Sequence, residues 1–588
     1  MNLKSRLVFL LVMAVWVWAA PPANAQQLEA RIVGIVTDQS GAVLPGVSVT
    51  AVAKATAATR TVVTDKDGRY TITNLAPGQY QVSVELPGFA PIMRDLTLAV
   101  GDAKTADVAL GVAGLTEAVT VASDVPVLDL TSAKIDVNVS PEEIANLPVN
   151  GRNFANLMTL ATGATSDGNG GWASVRFNGK SNQQNYLNYD GVDGTYVWDA
   201  SPGYLNATGS QFRLQTSMES VAEFRVNSGL ASAESGLGAG GNITVISKSG
   251  SNALRGSVFD YLRNDALDSA SKYDSKKQTL EMNQFGGSAG GPLVANRTFF
   301  FSSYEGLRQT TGLSFTEAVP SAETIRRILA GEPVGTGGGQ SAARTQAVAP
   351  LLAGFPQGST TTANVLLDLA GNTTEATQDE HAVSARLDHR FSADQSMYAR
   401  VLYSNGDLDT PDRTVTPRRV RASQEPINAV VNHQAVLGGN MINEFKVGYN
   451  APSTSALAFG RDAYDPVGVS LSGAVTSSSI DARGTTGIAR SGLLIRATSA
   501  SSTTGSLFEP RSISLSNALT WSRGAHAFKL GGEYRNIQSK FQFLGSTEIV
   551  FNSVNDFIDN KPNQVTVALD SPEFTPQQFY AIGFVQDT

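Results

Sequence analysis

Catalytic chemistry would have to come from a small set of residues in this chain. Gly286-Gly287-Ser288-Ala289-Gly290 fits the spacing of a serine nucleophile elbow. That device needs a sharp strand-to-helix turn to expose the hydroxyl, and here a glycine-rich run has β-prone residues on both sides. Gly236, Gly238 and Gly241 fit a dinucleotide-binding glycine pattern. The pattern works when a helix follows and aims its N-terminus at phosphate, whereas Asn242–Lys248 reads as a strand. Gly179-Lys180-Ser181 lacks the earlier glycine of a phosphate-binding loop, because Ser174 stands in its place. The four histidines are His381, His389, His433 and His526. None has a second histidine at helical spacing beside a glutamate, as a zinc hydrolase would require. His381 and His389 share one strand face but lie too far apart to bind one ion. Cysteine is absent, so thiolate nucleophiles, thiolate metal sites and disulfides are excluded. No catalytic residue, metal site or cofactor is expected. The net charge of −8 gives nucleic-acid binding no electrostatic support.

The elements that carry these residues are mainly β. Charged residues make up only 16% of the chain, and glycine is abundant, with 56 residues. Charge at that level is low for a soluble enzyme, where about 25% is usual. The chain opens with Lys4 and Arg6, an apolar run from Leu7 to Ala19, and Ala23-Asn24-Ala25. That order predicts a signal peptide over 1–25, cleaved between Ala25 and Gln26. No later run approaches the ~20 residues of a spanning helix. An exported chain without such a helix can still enter a membrane as a β-barrel.

Residues 26–112 alternate strand-like runs with turn signals. The runs are Ile32–Thr37, Val47–Val52, Arg60–Thr64, Tyr70–Thr73, Tyr80–Glu85, Leu96–Val100 and Asp107–Leu110. Ser40-Gly41, Pro45-Gly46, Asp67-Gly68, Pro77-Gly78 and Pro87-Gly88 punctuate them. Seven short strands so spaced predict a seven-stranded β-sandwich. Gly34–Asp38, Leu44–Val47, Thr64–Tyr70 and Leu75–Tyr80 resemble the carboxypeptidase regulatory-like domain. The resemblance implies a transthyretin-like, carbohydrate-binding-like fold, and its motifs are strand and turn residues.

Residues 113–127 read as a linker. Within it, Glu117, Ala118, Val119, Thr120 and Val121 resemble a TonB box. A free β-prone strand can pair with a partner's sheet edge through main-chain hydrogen bonds. Residues 128–250 then resemble the plug domain of TonB-dependent receptors, an α+β unit. Val139–Ile144 reads as a helix start, with Ser140 as N-cap and Pro141 in the first turn. Leu147–Phe154 (LPVNGRNF), Asn185–Val192 (NYLNYDGV), Met218–Val226 and Gly238–Val245 carry the rest of the resemblance, to the Oar-like branch.

From 251 to 588 the pattern becomes amphipathic. Val383, Ala385, Leu387 and Phe391 oppose Ser384, Arg386, Asp388 and Arg390, with His389 a polar exception among the apolar positions. Phe445, Val447 and Tyr449 oppose Glu444, Lys446 and Asn450; Phe528, Leu530 and Tyr534 oppose Lys529 and Glu533. One apolar and one polar face suits lipid outside and a wet lumen inside, although a large soluble sandwich gives the same alternation. Met282–Pro292 and Arg297–Arg308, which carry NQFGGSAGGP and RTFFFSSYEGLR, resemble the early barrel hairpin of the Oar-like family. Gln309–Glu380, Ala422–Ile427 and Ala451–Ser512 contain long irregular runs suited to external loops, with a short helix at Ser321–Ala330. Barrels of this class close with roughly 22 strands, and about half that number is legible here. The chain is therefore expected to be a C-terminally truncated fragment that does not insert and transport by itself.

The expectation is a mainly β protein: sandwich, plug and the first part of an antiparallel transmembrane barrel, in the outer membrane, with the sandwich in the periplasm. The resemblance implies import of an extracellular ligand powered by TonB and its inner-membrane complex. The alternative is an outer-membrane adhesion or binding protein whose sandwich and loops hold carbohydrate or matrix without transport.

Overall fold

A computed structural model describes residues 30–113, 119–121, 136–147, 154–166, 175–195, 216–228, 240–270, 277–334, 341–349, 357–411 apart from 363, 419–459 apart from 439, 467–471, 505–523, 526–544, 546–551, 554–562, 564–568 and 571–587, with a few single positions besides. The signal-peptide residues, Ala25 and Gln26 included, and Glu117 and Ala118 lie outside them.

The N-terminal unit has eight strands: β1 (Ala30–Asp38), β2 (Ser48–Ala53), β3 (Thr59–Val63), β4 (Arg69–Leu75), β5 (Gly78–Glu85), β6 (Ile92–Leu98), β7 (Ala103–Thr105) and β8 (Val108–Leu110). One sheet runs β4-β1-β7 with β8 also on β1, and the other runs β3-β2-β5-β6. The strand count exceeds the expected seven by β7, whose Ala-Lys-Thr offers no apolar alternation, unlike the equally short Val-Ala-Leu of β8. Ile32, Val49, Ile72, Val82, Val84 and Leu98 fill the space between the sheets. Gly68 takes a positive φ of 70° in the turn that crosses from β3 of one sheet to β4 of the other, and the Asp65 carboxylate accepts the N–H groups of Asp67 and Arg69 there. A ninth strand, β9 (Val119–Val121), lies parallel to β6 on the sheet's edge.

The central unit holds β10 (Asp136–Val139), helix α1 (Pro141–Asn146), β11 (Ala164–Ser166), β12 (Val175–Phe177), β13 (Tyr186–Tyr189), β14 (Val192–Asp193), β15 (Val221–Asn227) and β16 (Asn242–Ser247). Its main sheet runs β10-β15-β16-β13-β14. As expected, Ser140 caps α1. Its hydroxyl accepts the Glu143 N–H, and the Glu143 carboxylate accepts the Ser140 N–H at 2.7 Å, a capping box. Val139, Ile144, Phe177, Leu187, Phe224 and Ile243 form the core.

The remainder is one long antiparallel sheet: β17 (Arg255–Asn264), β18 (Leu280–Val294), β19 (Thr298–Pro320), β21 (Leu367–Arg390), β22 (Gln395–Pro411), β23 (Arg419–Val436), β24 (Met441–Phe459), β26 (Gly505–Arg523), β27 (His526–Leu544) and β30 (Gln577–Asp587), paired in that order, with the short β20 (Thr360–Thr361) on β21. A separate small sheet joins β25 (Val467–Leu471), β28 (Ser546–Phe551) and β29 (Gln564–Ala568). Helices α2 (Ala322–Ala330), α3 (Ala342–Gln346) and α4 (Val554–Ile558) lie in the long connections.

Hairpin lengths give the long sheet two different ends. Turns at 295–297, 391–394, 437–440 and 524–525 are short, and connections at the other end run to 45 residues (460–504) and 46 residues (321–366). The sandwich sits at the short-turn end. Arg60 donates to the Ala393 carbonyl and to Gln434 there, and Arg390 donates to the carbonyls of Thr56 and Ala57. In outer-membrane barrels short turns face the periplasm, as expected for the sandwich.

Candidate functional site

Burial on the long sheet is inverted relative to a soluble protein. Glu305, Ser384, Arg400, Gln424, Glu444, Lys446, Asn450 and Arg535 are buried. Val258 is 92% exposed, Val585 73% and Ile513 51%, and Val383, Leu387, Val401, Val431 and Phe445 are also exposed. A soluble sandwich would bury the second set. Here the apolar face is bare and the polar face is covered by the central unit, the arrangement that hydrocarbon outside and a filled lumen inside demand.

What covers the polar face is held by ion pairs that start from one turn. Asp190 and Gly191 have φ of 50° and 80°. Two consecutive positive φ values make the tight two-residue hairpin that joins β13 to β14, and Asp-Gly suits it because Gly adopts this region freely. The turn aims two carboxylates at the barrel wall. Asp190 accepts from Arg400 Nε at 2.8 Å and from the Ser247 N–H at 2.9 Å, with Arg386 at 3.6 Å. Asp193 pairs with Arg535 Nη1 at 2.7 Å. Arg400 also donates to the Tyr189 carbonyl and to Asn428, Asn428 donates to the Asp193 carbonyl, and Asn450 donates to the Thr195 carbonyl. Burial opposes ionisation of Asp190, yet Arg400 and Arg386 hold its carboxyl below the usual range. Gly448 lets the turn come close, since a Cβ there would stand 2.7 Å from Val192. Leu402 of β22 joins the central unit's own core.

A second cluster lies further round the wall. Arg152, inside the LPVNGRNF phrase, pairs with Glu219 at 3.2 Å and stands 3.9 Å from Glu305 of β19. Its guanidinium lies over the rings of Tyr261 and Phe259, at 4.4 and 4.8 Å. Glu305 accepts from the Ser217 hydroxyl and from Gln284 at 2.6 Å. Truncating one member of a buried pair costs about 3–5 kcal/mol, because it strands the other charge. Such pairs fix where the central unit sits more than they add net stability.

The enzyme-like patterns do not become sites. Ser288 lies in the middle of β18, between β17 and β19, with its hydroxyl 2.9 Å from that of Ser257. Gly241 leads into β16 with no helix, and Gly236 lies outside the described residues. His381 contacts Tyr304 and Arg308, His389 contacts Thr298 and Phe391, and His526 contacts Asp587. No cluster of His, Asp or Glu among the described residues could hold a metal.

Residues 246–588, more than half of the chain, match the outer membrane beta barrel domain family. The chain belongs to that family. This outer membrane beta-barrel protein also matches the carboxypeptidase regulatory-like domain over residues 31–111. It is 29% identical over 297 residues to the TonB-dependent transporter Oar of Myxococcus xanthus, covering 47% of this chain and 26% of the relative. The chain thus matches about a quarter of that relative's length. Among solved structures it is similar to the outer membrane transporter YddB of Escherichia coli, at 11% identity over 77% of this chain and 54% of that one, TM-score 0.44. The ferric enterobactin receptor of Pseudomonas aeruginosa follows at 12% identity over 76% and 57%, TM-score 0.40. The named transporters and receptors are not enzymes.

The sequence reading anticipated the Asp190-Gly191 turn but not its partners. Arg400, Arg535, Asn428 and Asn450 sit at polar positions of amphipathic strands. Their signal is a charge or amide on the face opposite the apolar one, a signal they share with many other strand residues.

Proposed function

We propose that this protein is a TonB-dependent outer-membrane transporter. The central unit acts as its plug, and residues 117–121 are the segment offered to TonB. The observation that carries the reading is the Asp190–Asp193 hairpin, clamped by Arg400 and Arg535 on the inner wall of a lipid-clad sheet. A domain filling a lumen blocks passage, and one held by a few ion pairs can be shifted by a pull that breaks them. The inner-membrane complex would supply that pull from the proton-motive force. An external ligand would then pass along the polar wall, with no covalent step. The similarity to the Oar transporter supports this reading.

Pull-down of the wild-type protein with the soluble periplasmic domain of TonB tests it, alongside uptake of a labelled panel of siderophores, saccharides, peptides and vitamins. Val119→Pro removes an N–H that strand pairing needs and should abolish both TonB capture and any uptake. Absence of capture by the wild type would overturn the reading. The sandwich and loops would then be binding elements on an anchored barrel.

A further inference from the structure

The candidate coupling strand is not presented free. Val119–Val121 pair in parallel with Ile92–Arg94, residue for residue, and close the open edge of the β3-β2-β5-β6 sheet. Two neighbouring interactions bring the same stretch of chain to this edge: the isolated bridge between Phe89 and Val112, and the Ala113 N–H donated to the Gly88 carbonyl at 2.9 Å. The sandwich is also fastened to the central unit at a different place. The Val100 N–H donates to Glu223 at 2.8 Å, and Arg225 donates to the Val100 carbonyl. Gly101 has no side chain where the Arg225 guanidinium lies, 2.1 Å from the position of a Cβ. The sandwich therefore grips the central unit with one turn and β9 with one edge.

Main-chain pairing on a strand edge is the same kind of contact that a partner's strand would make with residues 119–121. Pairing with β6 takes up the N–H and C=O groups on one side of β9 and holds the strand against the sandwich, so a partner that needs that side, or needs the strand drawn away from the sandwich, has to displace β6. We infer that the sandwich is a strand-holding domain whose β6 edge competes with TonB for residues 119–121. The inference rests on the transporter reading and adds a regulator to it. Pairing over three residues is short enough to be displaced, and the Glu223–Arg225 grip keeps the sandwich in place when β9 leaves.

Absence of cysteine from the chain makes a direct test possible. Neighbouring strands lie ~4.8 Å apart, within the Cα separation a disulfide accepts, about 4.4–6.8 Å. The pairs Met93→Cys with Thr120→Cys and Arg94→Cys with Val121→Cys should each crosslink in isolated outer membranes without added oxidant beyond air. Each oxidised form should bind the periplasmic TonB domain at least tenfold more weakly than the same protein after reduction. Failure of both pairs to crosslink, or equal TonB binding by oxidised and reduced protein, overturns the inference. The wild-type protein separates the two readings. If it binds no TonB while both pairs crosslink, the transporter reading falls and with it the competition, and β9 is a structural edge strand. If it binds TonB and neither pair crosslinks, transport stands and the sandwich is no competitor.

Discussion

Single side chains decide how the central unit is seated. Asp190→Asn removes the charge that answers Arg400 at 2.8 Å, while Arg386 keeps Asp388 at 2.9 Å. The expected cost is about 3–5 kcal/mol for leaving buried guanidinium unpaired, read as faster hydrogen exchange over residues 185–195 with the barrel strands unaffected. Glu223 gives a pH dependence. Burial, reinforced by Asp102, pushes its carboxyl up to about 7, while the Val100 N–H and Arg225 act in the opposite direction. A carboxyl whose pKa is raised by docking binds its proton more tightly when docked. The contact is therefore tightest below about 4.5, weakens as pH rises through about 7, and is level above that. Dyes on Lys66→Cys and Arg176→Cys would report looser sandwich docking at pH 8 than at pH 5. Glu223→Gln should flatten that difference. Among these residues, Asp190 was legible because Asp-Gly announces its turn. Glu223 was not, because its role depends on a contact with Val100, 123 residues away.

Strands and hairpins show where sequence reasoning reaches. The alternation on β21 and β24 was visible in Val383–Phe391 and Phe445–Tyr449, since period two survives in any local window. Whether the apolar face meets lipid or a soluble core was not visible from alternation alone, because alternation does not say whether the apolar side is covered. Burial settles it, and Val401→Arg tests it. A cation at the bilayer midplane of a barrel costs about 2–4 kcal/mol, so the variant should assemble poorly in membranes, while Ser404→Arg should act on the seating of the central unit. Strand ends were read short: β19 and β21 continue beyond the membrane-suited stretch to Pro320 and Leu367. Their extensions carry Gly312, Pro320, Gly371, Asn372 and the acidic run Asp379-Glu380, residues depleted from strands, which obscures a strand signal. Likewise Gly448→Val should displace the Val192 turn, measurable as loss of protease resistance in the central unit.

At the scale of the molecule, three units are joined through polar contacts, buried where the central unit meets the long sheet and more exposed where the sandwich does, and the far end carries a further small core. The short helix at Ser321–Ala330 was expected from its sequence, and its companions were not. Ile328, Val348 and Leu366 from one long connection pack against Val554, Phe557 and Ile558 from another. Asp559 accepts the Val334 N–H at 2.7 Å, and Arg344 donates to the Asn560 carbonyl. Residues more than 200 positions apart cannot be paired by reading a local window. Phe557→Ala should cost about 3–5 kcal/mol of that core and open both connections to protease together.

That shared core bears on how the exposed end can be remodelled. Grafting one of these connections from a homologue would leave half an interior without its complement, so a working chimera has to exchange 321–366 and 545–576 as a matched set. The same coupling means that an antibody raised against either segment as a free peptide would meet a shape the assembled surface does not display.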